Sequence, residues 1–506
     1  MNMQITFSGF IPLIAGAALI ASLEPSYSAA LASVERGPPV VYVRAIVSSR
    51  PPRKAVPKSY LGFSVEYGSV PRMFGRPVVM QAIARLTNRL GGFNGAPVFR
   101  IGGNSQDRAV WHLQSSAART SGNAIVLKSA LAADLLRLVN ATGTRLILGL
   151  NLGRASAGQA IPWIRASQRI IGFSHIMAFE IGNEPDLYDR HGARPRSYSF
   201  TEYQAEFRTF AGIIRPFLLR KPMLAGPAFT GPWRRFTPAF IARESNSLAV
   251  VTMHQYPLGA PVRNHSSPKF ASLANLLKPS SVSSFVSLIS TSIRAGHARH
   301  IPVRFSEINS AYMGGKRGVS NAFAQSLWSL DLLFTLASIH CDGVNFHTGP
   351  VYGAFWPDRN GVRVLPLYYG MWMFAQAVAG HAGLVPVRYR TKMNLKIWAT
   401  RDSRGTLRVV VINKDLRRTA SIQLAVPPAL AGRPAARVER LTAPSAGART
   451  HITLGGRTFG KTVNGLPTGR PLFTRIIGHK HTFTIIVPPA SALMLSDMSA
   501  ASGKGK

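Results

Sequence analysis

Two glutamates stand out in a chain that has few acids. Glu184 lies in the segment FEIGNEPDLY and Glu307 in VRFSEINS, and each follows a run of apolar residues. Carboxyl groups beside apolar runs can exchange protons with a bound molecule or attack it directly. Each also has a structural alternative, because Glu184 could cap a helix and Glu307 could pair with an arginine. The fold that positions them decides between these roles.

Short β-rich runs alternate with helical patterns from about residue 57 onward, which predicts βαβ units around a parallel sheet. Eight units over some 300 residues fit a (β/α)8 TIM barrel. A doubly wound sheet is the rival, but RIGGNSQD lacks the GxGxxG spacing of a nucleotide loop. The eight predicted strands are residues 60–68, 97–104, 144–153, 175–183, 222–229, 248–257, 303–310 and 343–350.

After about residue 385 the pattern changes to short alternating strands such as LKIWATRD, LRVVVINKD and TFTIIVPP, which predict an antiparallel β-sandwich. VVYVRAIVSS (40–49) is also strand-like and is expected to join that sandwich. The predicted divisions are a signal peptide (1–30), an N-terminal strand segment (31–56), the barrel (57–380), the sandwich (381–498) and a disordered tail (499–506).

The active site of a barrel of this class sits at the carboxyl ends of its strands. Glu184 would end strand four and Glu307 strand seven, so the two carboxyl groups face each other across the mouth. Such a pair is the minimum for glycoside hydrolysis, in which one carboxyl protonates the leaving oxygen and the other attacks the sugar or activates water. Asn183, beside the acid, can hydrogen-bond a sugar hydroxyl.

The motifs LGFSVEYG, FRIGGNSQD, FEIGNEPDLY, HQYP and SEINSAYMGG resemble glycoside hydrolase family 79, the β-glucuronidase and heparanase family. NEP after strand four with a glutamate after strand seven resembles the wider clan of retaining (β/α)8 glycosidases. The resemblance covers residues 57–380 and extends to the companion β-sandwich. It implies a retaining hydrolase of β-linked glucuronic acid that uses two glutamates in a double displacement.

Carried over position by position, the resemblance makes Glu184 the general acid/base, Glu307 the nucleophile and Asn183 the asparagine before the acid. It also implies contacts with the sugar ring and with the sugar carboxylate. Glu66, Asn104 and Ser105 match contacts with the sugar hydroxyls, and Tyr256 matches a tyrosine that approaches the nucleophile. The candidates for the sugar carboxylate are Tyr312, Gly314 and Tyr352. For the tyrosines, packing under loops is the alternative.

The 60 lysines and arginines against 20 acids give a formal charge of +40, which favours polyanions. No zipper, zinc-finger or RNA-binding signature is present, so we expect a carbohydrate partner and no nucleic acid. No cofactor or metal is expected, since neither His254 nor His347 has a second ligand at metal spacing. Cys341, the single cysteine, is expected to be a buried, inert thiol.

The apolar run IPLIAGAALIASL (11–23) is short for a membrane span and suits a secretory signal, followed by small residues at positions 26–30. No lysine or arginine precedes Arg36, so an uncleaved anchor or a misassigned start is the alternative. We expect a secreted or periplasmic protein. Action on a xyloside or glucoside, or binding of acidic polysaccharide without turnover, remain alternative functions. The oligomeric state stays open.

Overall fold

The computed structural model describes residues 38–111, 124–284, 286–430 and 434–498. The predicted signal peptide, the first residues of the N-terminal segment and the predicted disordered tail lie outside these residues. Within the described ranges, no helix is both long and apolar enough to cross a membrane.

Eight parallel strands close into a barrel, which confirms the predicted fold class. The strands are buried on both faces, as parallel barrel strands must be when helices cover them; all five residues of Val98–Gly102 are buried. In chain order, barrel strands one to eight are Leu61–Glu66, Val98–Gly102, Leu146–Leu150, Ile176–Ile181, Leu224–Phe229, Leu248–Gln255, Val303–Ile308 and Gly343–His347.

Helices surround the barrel on its outer face. Most are amphipathic, but Ala324–Ser338 and Pro366–Ala377 are buried almost all round. A helix that is apolar on every side must be packed on every side. These two helices pack against the barrel on one side and against the C-terminal sheet on the other. The α-helices are Val70–Phe74, Pro77–Asn94, Ser129–Thr142, Ala157–Ser167, Phe200–Ile214, Thr237–Glu244, Leu273–Leu277, Ser280–Ser283, Val286–His297, Ala324–Ser338 and Pro366–Ala377.

Two stacked sheets form the C-terminal domain around their own apolar core. The larger sheet contains Gly383–Val385, Leu395–Arg401, Leu407–Asn413, Ser491–Ser496, Ala435–Thr442 and Thr453–Leu454, with Thr474–Ile477 paired to Ala435–Thr442. The smaller sheet contains Val387–Tyr389, Val40–Val47, Thr419–Ala425 and Thr482–Val487.

The N-terminal strand Val40–Val47 joins the smaller sheet, as expected for the fold class. Its burial alternates between buried and exposed residues over the second half of the strand, so one face meets the core. It pairs in parallel with Thr419–Ala425 and antiparallel with Val387–Tyr389, so this sheet is mixed. The whole barrel separates Val40–Val47 from Thr419–Ala425 in the sequence. No hairpin connects the two strands, so none requires them to be antiparallel.

A buried ion pair joins the barrel to the sandwich. Lys414, just after strand Leu407–Asn413, donates to Asp331 on helix Ala324–Ser338, and neither side chain is exposed. Close by, the ring of Phe334 stacks on Trp398 with centroids 5.6 Å apart. Removing one member of a buried pair leaves an uncompensated charge, which costs more than the pair itself contributes.

We therefore expect Asp331→Ala to lower the free energy of unfolding by about 3–5 kcal/mol. Replacing both partners, as Asp331→Leu with Lys414→Met, should recover most of that loss. The measurement is urea unfolding followed by fluorescence. Arg137→Met is the control, because Arg137 is half exposed in its pair with Asp134 and should cost less than about 1 kcal/mol. Equal costs for the two single variants would contradict a structural role for the buried pair.

Candidate active site

The mouth of the barrel brings two glutamates together. Glu184 follows strand four and Glu307 lies near the end of strand seven. Their exposures are only 9% and 7%, and a carboxylate oxygen of one lies within 4.8 Å of an oxygen of the other. Retaining glycosidases hold their two carboxyl groups about 5–5.5 Å apart and inverting ones roughly 6.5–9.5 Å. The spacing here is of the retaining kind.

Glu307 is held as an anion by groups on both of its oxygens. The hydroxyl of Tyr256 donates to Oε1 at 2.7 Å and the guanidinium of Arg100 donates to Oε2 at 2.7 Å. Burial alone would raise the pKa of Glu307, but His347, His254, Arg100 and the Tyr256 hydrogen bond together lower it to about 2. An ionised carboxylate at this position is ready to act as a nucleophile.

Glu184 has a different environment. Its Oε1 lies 3.0 Å from Nδ1 of His254, and Nε2 of His254 lies 3.0 Å from the Ser306 hydroxyl. A neutral imidazole and a hydroxyl can each donate or accept. A protonated Glu184 can therefore donate to Nδ1 while Nε2–H donates to Ser306, and an ionised Glu184 can accept from Nδ1–H once both bonds reverse. The geometry of this contact therefore suits Glu184 with or without its proton.

The backbone at Glu184 is unusual. Its φ of 50° lies in the left-handed region, just before Pro185. Residues other than glycine avoid this region unless the surrounding structure imposes it, and such strain is typical of functional turns. Here the turn directs the side chain back toward Glu307 instead of along the following helical turn.

Arg100 connects several side chains of the site, including Glu307. It projects from barrel strand two, is fully buried, and forms ion pairs with Glu180 at 2.6 Å and Glu307 at 2.7 Å. It also donates to Asn183 Oδ1 at 2.8 Å. Burial would lower the pKa of Arg100, but the two carboxylates raise it overall, so the guanidinium stays charged. The sequence signal was present, since a charged residue inside an all-buried strand needs a partner, but the prediction overlooked it.

Asn183 is fixed on three sides. Its side-chain oxygen accepts from Arg100, its Nδ2 donates to Asn104 Oδ1 at 3.2 Å, and its backbone N–H donates to Asp107 at 3.2 Å. Asp107 also accepts from the Tyr188 hydroxyl at 2.9 Å. Burial raises the pKa of Asp107 to about 6, although these hydrogen bonds pull it down. The turn that carries Asn183 and Glu184 is thus anchored from the loop after strand two.

Glu66, at the end of strand one, accepts hydrogen bonds from the backbone amides of Asn104 and Ser105. Its Oε1 lies 3.5 Å from Nε2 of His347. Burial would raise the pKa of Glu66, but His347 and the Ser105 contact lower it overall. Burial would lower the pKa of His347, but Glu307 and Glu66 raise it overall. The side chain of Glu66 is 29% exposed, so it can still meet a ligand.

Ser105, unlike Asn104 and Glu66, has a buried side chain. Its hydroxyl donates to the carbonyl of Gly102 and accepts from the amide of Tyr67, and the residue is 2% exposed. Both hydrogen bonds join Ser105 to the backbone of neighbouring turns. This side chain therefore stabilises the loop that carries Asn104 next to Glu66. Asn104 itself is exposed at the mouth.

Tyr256 and Tyr352 lie side by side at the mouth, with ring centroids 6.4 Å apart and nearly parallel planes. Burial, with Glu307 nearby, raises the pKa of both phenols, so they remain O–H donors. The carbonyl of Tyr352 accepts from Asn309 and Gln325. Asn309, a polar residue at the end of strand seven, therefore ties the loop after strand eight in place.

Tyr312 and Gly314 lie on the loop after strand seven. The ring of Tyr312 covers Gly259, where a Cβ would lie 2.4 Å from its Cζ. The Tyr312 hydroxyl has no hydrogen-bond partner in the part of the chain that the structure describes. Gly314 has a φ of 81° and open space around it. Neither residue contacts the two glutamates through a hydrogen bond among the described residues, so both remain candidates for contacts with a ligand.

Three tryptophans, Trp111, Trp163 and Trp233, pack against other aromatic rings. Trp163 donates to the Tyr67 hydroxyl and stacks on Trp111, with centroids 5.4 Å apart. Trp233 packs among Tyr198, Phe229 and other rings. Trp356 is in contact with Arg72.

Glu184, His254 and Glu307 offer three possible metal-ligand atoms within 4.8 Å of one another. The donor set does not suit a cation, however. Both oxygens of Glu307 already accept hydrogen bonds, and the guanidinium of Arg100 lies 2.7 Å from one of them. A metal ion here would be repelled by that buried positive charge.

Sequence profiles of two domains match the chain. The profile of the glycosyl hydrolase family 79 N-terminal domain matches residues 76–334, and that of the family's C-terminal β domain matches residues 394–494. The first match covers most of the barrel and the second most of the sandwich.

Curated relatives of known name are similar over part of their length. A β-glucuronidase of Neurospora crassa is 26% identical over 352 residues, which are 61% of this chain and 60% of that protein. A β-glucuronidase of Aspergillus niger is 25% identical over 355 residues, 63% of this chain and 65% of that protein. The chain thus spans less than two thirds of the length of these relatives.

Solved structures share the fold. The 4-O-α-L-rhamnosyl-β-D-glucuronidase of Fusarium oxysporum 12S superposes with a TM-score of 0.75 at 20% identity, over 90% of this chain and 100% of that one. The GH51 arabinofuranosidase of Xanthomonas axonopodis pv. citri gives a TM-score of 0.66 at 15% identity, over 90% and 99%. Both cover the barrel together with the sandwich.

The Tyr256 hydrogen bond should set the acidic limit of activity. We expect activity to require an ionised Glu307, so kcat/KM should fall on the acidic side as Glu307 takes up a proton, near its pKa of about 2. Tyr256→Phe removes a donor to the anion, so the pKa of Glu307 should rise by about one unit and the acidic limb should move to higher pH. We also expect a loss of roughly tenfold to a hundredfold in kcat.

The measurement is the pH dependence of kcat/KM with an aryl β-glucuronide. Tyr368→Phe is the control, because Tyr368 is a buried tyrosine on helix Pro366–Ala377 whose hydroxyl donates to the Leu86 carbonyl. An unshifted acidic limb in Tyr256→Phe would show that this hydroxyl does not stabilise the Glu307 anion.

Proposed function

The chain belongs to glycoside hydrolase family 79, and we propose that it hydrolyses β-linked glucuronic acid with retention of anomeric configuration. The observation that carries the proposal is the close pair of carboxyl groups in opposite environments. Glu307 is surrounded by donors and cations, whereas Glu184 contacts a histidine that can accept or donate. Environments that differ in this way assign the two roles.

In the first step, a carboxylate oxygen of Glu307 attacks the anomeric carbon while Glu184 gives its proton to the glycosidic oxygen. The bond between the anomeric carbon and that oxygen breaks, the alcohol leaves, and the sugar becomes an ester of Glu307. In the second step, Glu184 takes a proton from water, the water oxygen attacks the same carbon, and the ester bond breaks. Glu307 is then an anion and Glu184 is protonated again.

Arg100 and Tyr256 act in both steps of this cycle, because both donate hydrogen bonds to Glu307. They stabilise Glu307 as an anion before attack, and Glu307 loses its charge when it becomes an ester. When the ester breaks, the same donors stabilise the departing carboxylate. Groups that are fixed before reaction provide this stabilisation without reorganisation at the moment of bond breaking.

Glucuronic acid is the proposed sugar because the similar proteins from N. crassa and A. niger are named β-glucuronidases. The loops fit this choice. The Tyr312 hydroxyl has no partner in the described chain, Gly314 lies in open space, and Tyr352 remains an O–H donor beside Glu307. Donors on the loops after strands seven and eight suit the carboxylate of a sugar acid.

Other features favour turnover over binding alone. A binding protein has no need for two carboxyl groups within 4.8 Å in a buried mouth, since each costs desolvation energy. Export from the cell is part of the proposal and is supported by the apolar N-terminal run alone.

We expect Glu184→Gln and Glu307→Gln each to lower kcat by about a thousandfold or more, because each removes a proton-transfer or covalent role with little change of shape. Azide should rescue Glu307→Ala and give the α-glucuronyl azide, and rescue of Glu184→Ala should give the β-azide. Product anomers are assigned by NMR. Glu202→Gln is the control, since this exposed glutamate in the capping box of helix Phe200–Ile214 keeps a side chain that suits the cap. Near-normal turnover in either glutamine variant would refute the assignment.

Sugar-acid recognition is tested by comparing aryl β-glucuronide, β-glucoside and β-xyloside. We expect the glucuronide to have the highest kcat/KM. Tyr312→Phe should lower that value by roughly tenfold, the scale of one hydrogen bond to a charged group, while the glucoside value stays the same. Tyr42→Phe, on a tyrosine that is 80% exposed in the sandwich, is the control. A preference for glucuronide that survives Tyr312→Phe would make Tyr312 a packing residue.

A further inference from the structure

A cavity of 540 Å³ lies between the N-terminal segment, the barrel and the sandwich. Its walls combine cationic, aromatic and proline side chains, and none of its lining residues is acidic. The lining residues that carry the argument are Arg50, Arg53, Lys54, Lys396, Tyr389 and Trp398.

The cavity is at the opposite end of the barrel from Glu184 and Glu307. It is lined by residues 54–57, which precede barrel strand one, and by His340, which precedes strand eight. The active-site residues Glu66 and His347 lie at the far ends of these same strands. A strand of five or six residues spans about 17–20 Å, so one small sugar cannot occupy both places.

Three of the four lysines and arginines that line this cavity have no acidic partner in the described part of the chain. The side chains of Arg50, Arg53 and Lys396 form no ion pair in the described part of the chain. Lys54 is half exposed and lies 3.8 Å from Asp342. The pKa of His340 is lowered by burial and then by the charges of Lys54 and other neighbours, as a positive local potential would require. Cations brought together around one concave space attract an anionic ligand.

The wall also has apolar and polar surfaces that suit a sugar. Trp398 stacks on Phe334, which fixes its indole in place. Rigid aromatic and proline walls with a few polar groups are typical of small-molecule sites, whose volumes run from about 300 to 1,000 Å³.

We propose that this cavity is a non-catalytic binding site for an acidic oligosaccharide that bears carboxylates. A concave space of this size encloses a few sugar units. Duplex nucleic acid instead needs an extended basic surface that follows its backbone. The site would hold the enzyme on a polymeric acid while the mouth at the other end of the barrel acts on free chain ends. The choice of uronate as ligand depends on the proposed function, but the existence of an anion site does not.

The test compares two triple variants that lose the same net charge. The first is Arg50→Gln, Arg53→Gln, Lys396→Gln in the cavity. The second is Lys128→Gln, Arg294→Gln, Arg404→Gln at exposed positions outside its lining. Both are made with and without Glu307→Gln, which prevents consumption of the probe. Calorimetry measures the Kd of a hyaluronan octasaccharide, a chondroitin sulfate octasaccharide and a DNA duplex at fixed salt.

We expect the cavity variant to weaken hyaluronan binding by about tenfold or more, because it removes three cation contacts that are individually weak. The exposed-site variant should weaken it less than about threefold through the general field. In the background that keeps Glu307, both triple variants should have the wild-type kcat/KM for a small aryl glucuronide. Bound octasaccharide should also protect Lys54 and Lys396 from acetylation, measured by peptide mass spectrometry.

Equal weakening in the two triple variants would overturn the proposal in favour of a general electrostatic field. Tighter binding of DNA than of either saccharide, lost in the cavity variant, would overturn it in favour of a nucleic-acid site. Tighter binding of the sulfated octasaccharide would keep an acidic-saccharide site but move its preference from carboxylate to sulfate. Failure of glucuronide hydrolysis would refute the proposed function and leave the octasaccharide result to stand by itself.

Discussion

The buried guanidinium of Arg100 organises the whole barrel mouth. It lies between Glu180 on strand four and Glu307 on strand seven, and it also orients Asn183. Taking three charges out of water costs several kcal/mol for each ion unless their geometry is good. Strands two, four and seven must therefore hold their positions for the charges to compensate one another. The closed barrel, in which each strand is fixed by two neighbours, provides that constraint.

This arrangement explains why an acid-poor chain places three carboxylates within FEIGNEPDLY. Glu180 neutralises Arg100, and Glu184 faces Glu307 across the mouth. Asp186 accepts from the backbone amides of Thr230 and Gly231 and so fixes the loop after strand five. Burial raises the pKa of Asp186 to about 6 although these amides pull it down. One segment thus supplies a counter-ion, a proposed acid/base and a loop anchor.

Much of the fold could be predicted from the sequence because the signals are local. Every barrel strand lies within one of the eight predicted runs, and the change to alternating strands after residue 385 marks the sandwich. The positions of Glu184 and Glu307 followed from the rule that barrel sites form at strand ends. The long segment GGRTFGKTVNGLPTGRP has the glycine-rich and proline-rich composition of a surface loop, yet it buries Phe459 against Tyr368, Tyr369 and Trp372.

The features that could not be predicted from the sequence depend on contacts between residues far apart in the chain. The role of Arg100 requires knowledge of which strands face each other across the barrel, and 207 positions separate it from Glu307. Ser105 lies in a matching motif, but its hydroxyl is engaged by the backbone of its own turn. The parallel pairing of Val40–Val47 is likewise a long-range choice. Neither periodicity nor propensity carries such information.

In the proposed mechanism Glu307, kept ionised by Arg100 and Tyr256, forms a covalent bond with the sugar. A dinitrophenyl β-glucuronide with fluorine beside the anomeric carbon tests it directly. The fluorine slows both steps, but the good dinitrophenolate leaving group keeps the first step fast enough for the ester to accumulate. Intact-protein mass spectrometry should show one added fluoroglucuronyl group, and peptide mapping should place it on Glu307. Release of dinitrophenol with no adduct, or an adduct on any other residue, would contradict the account.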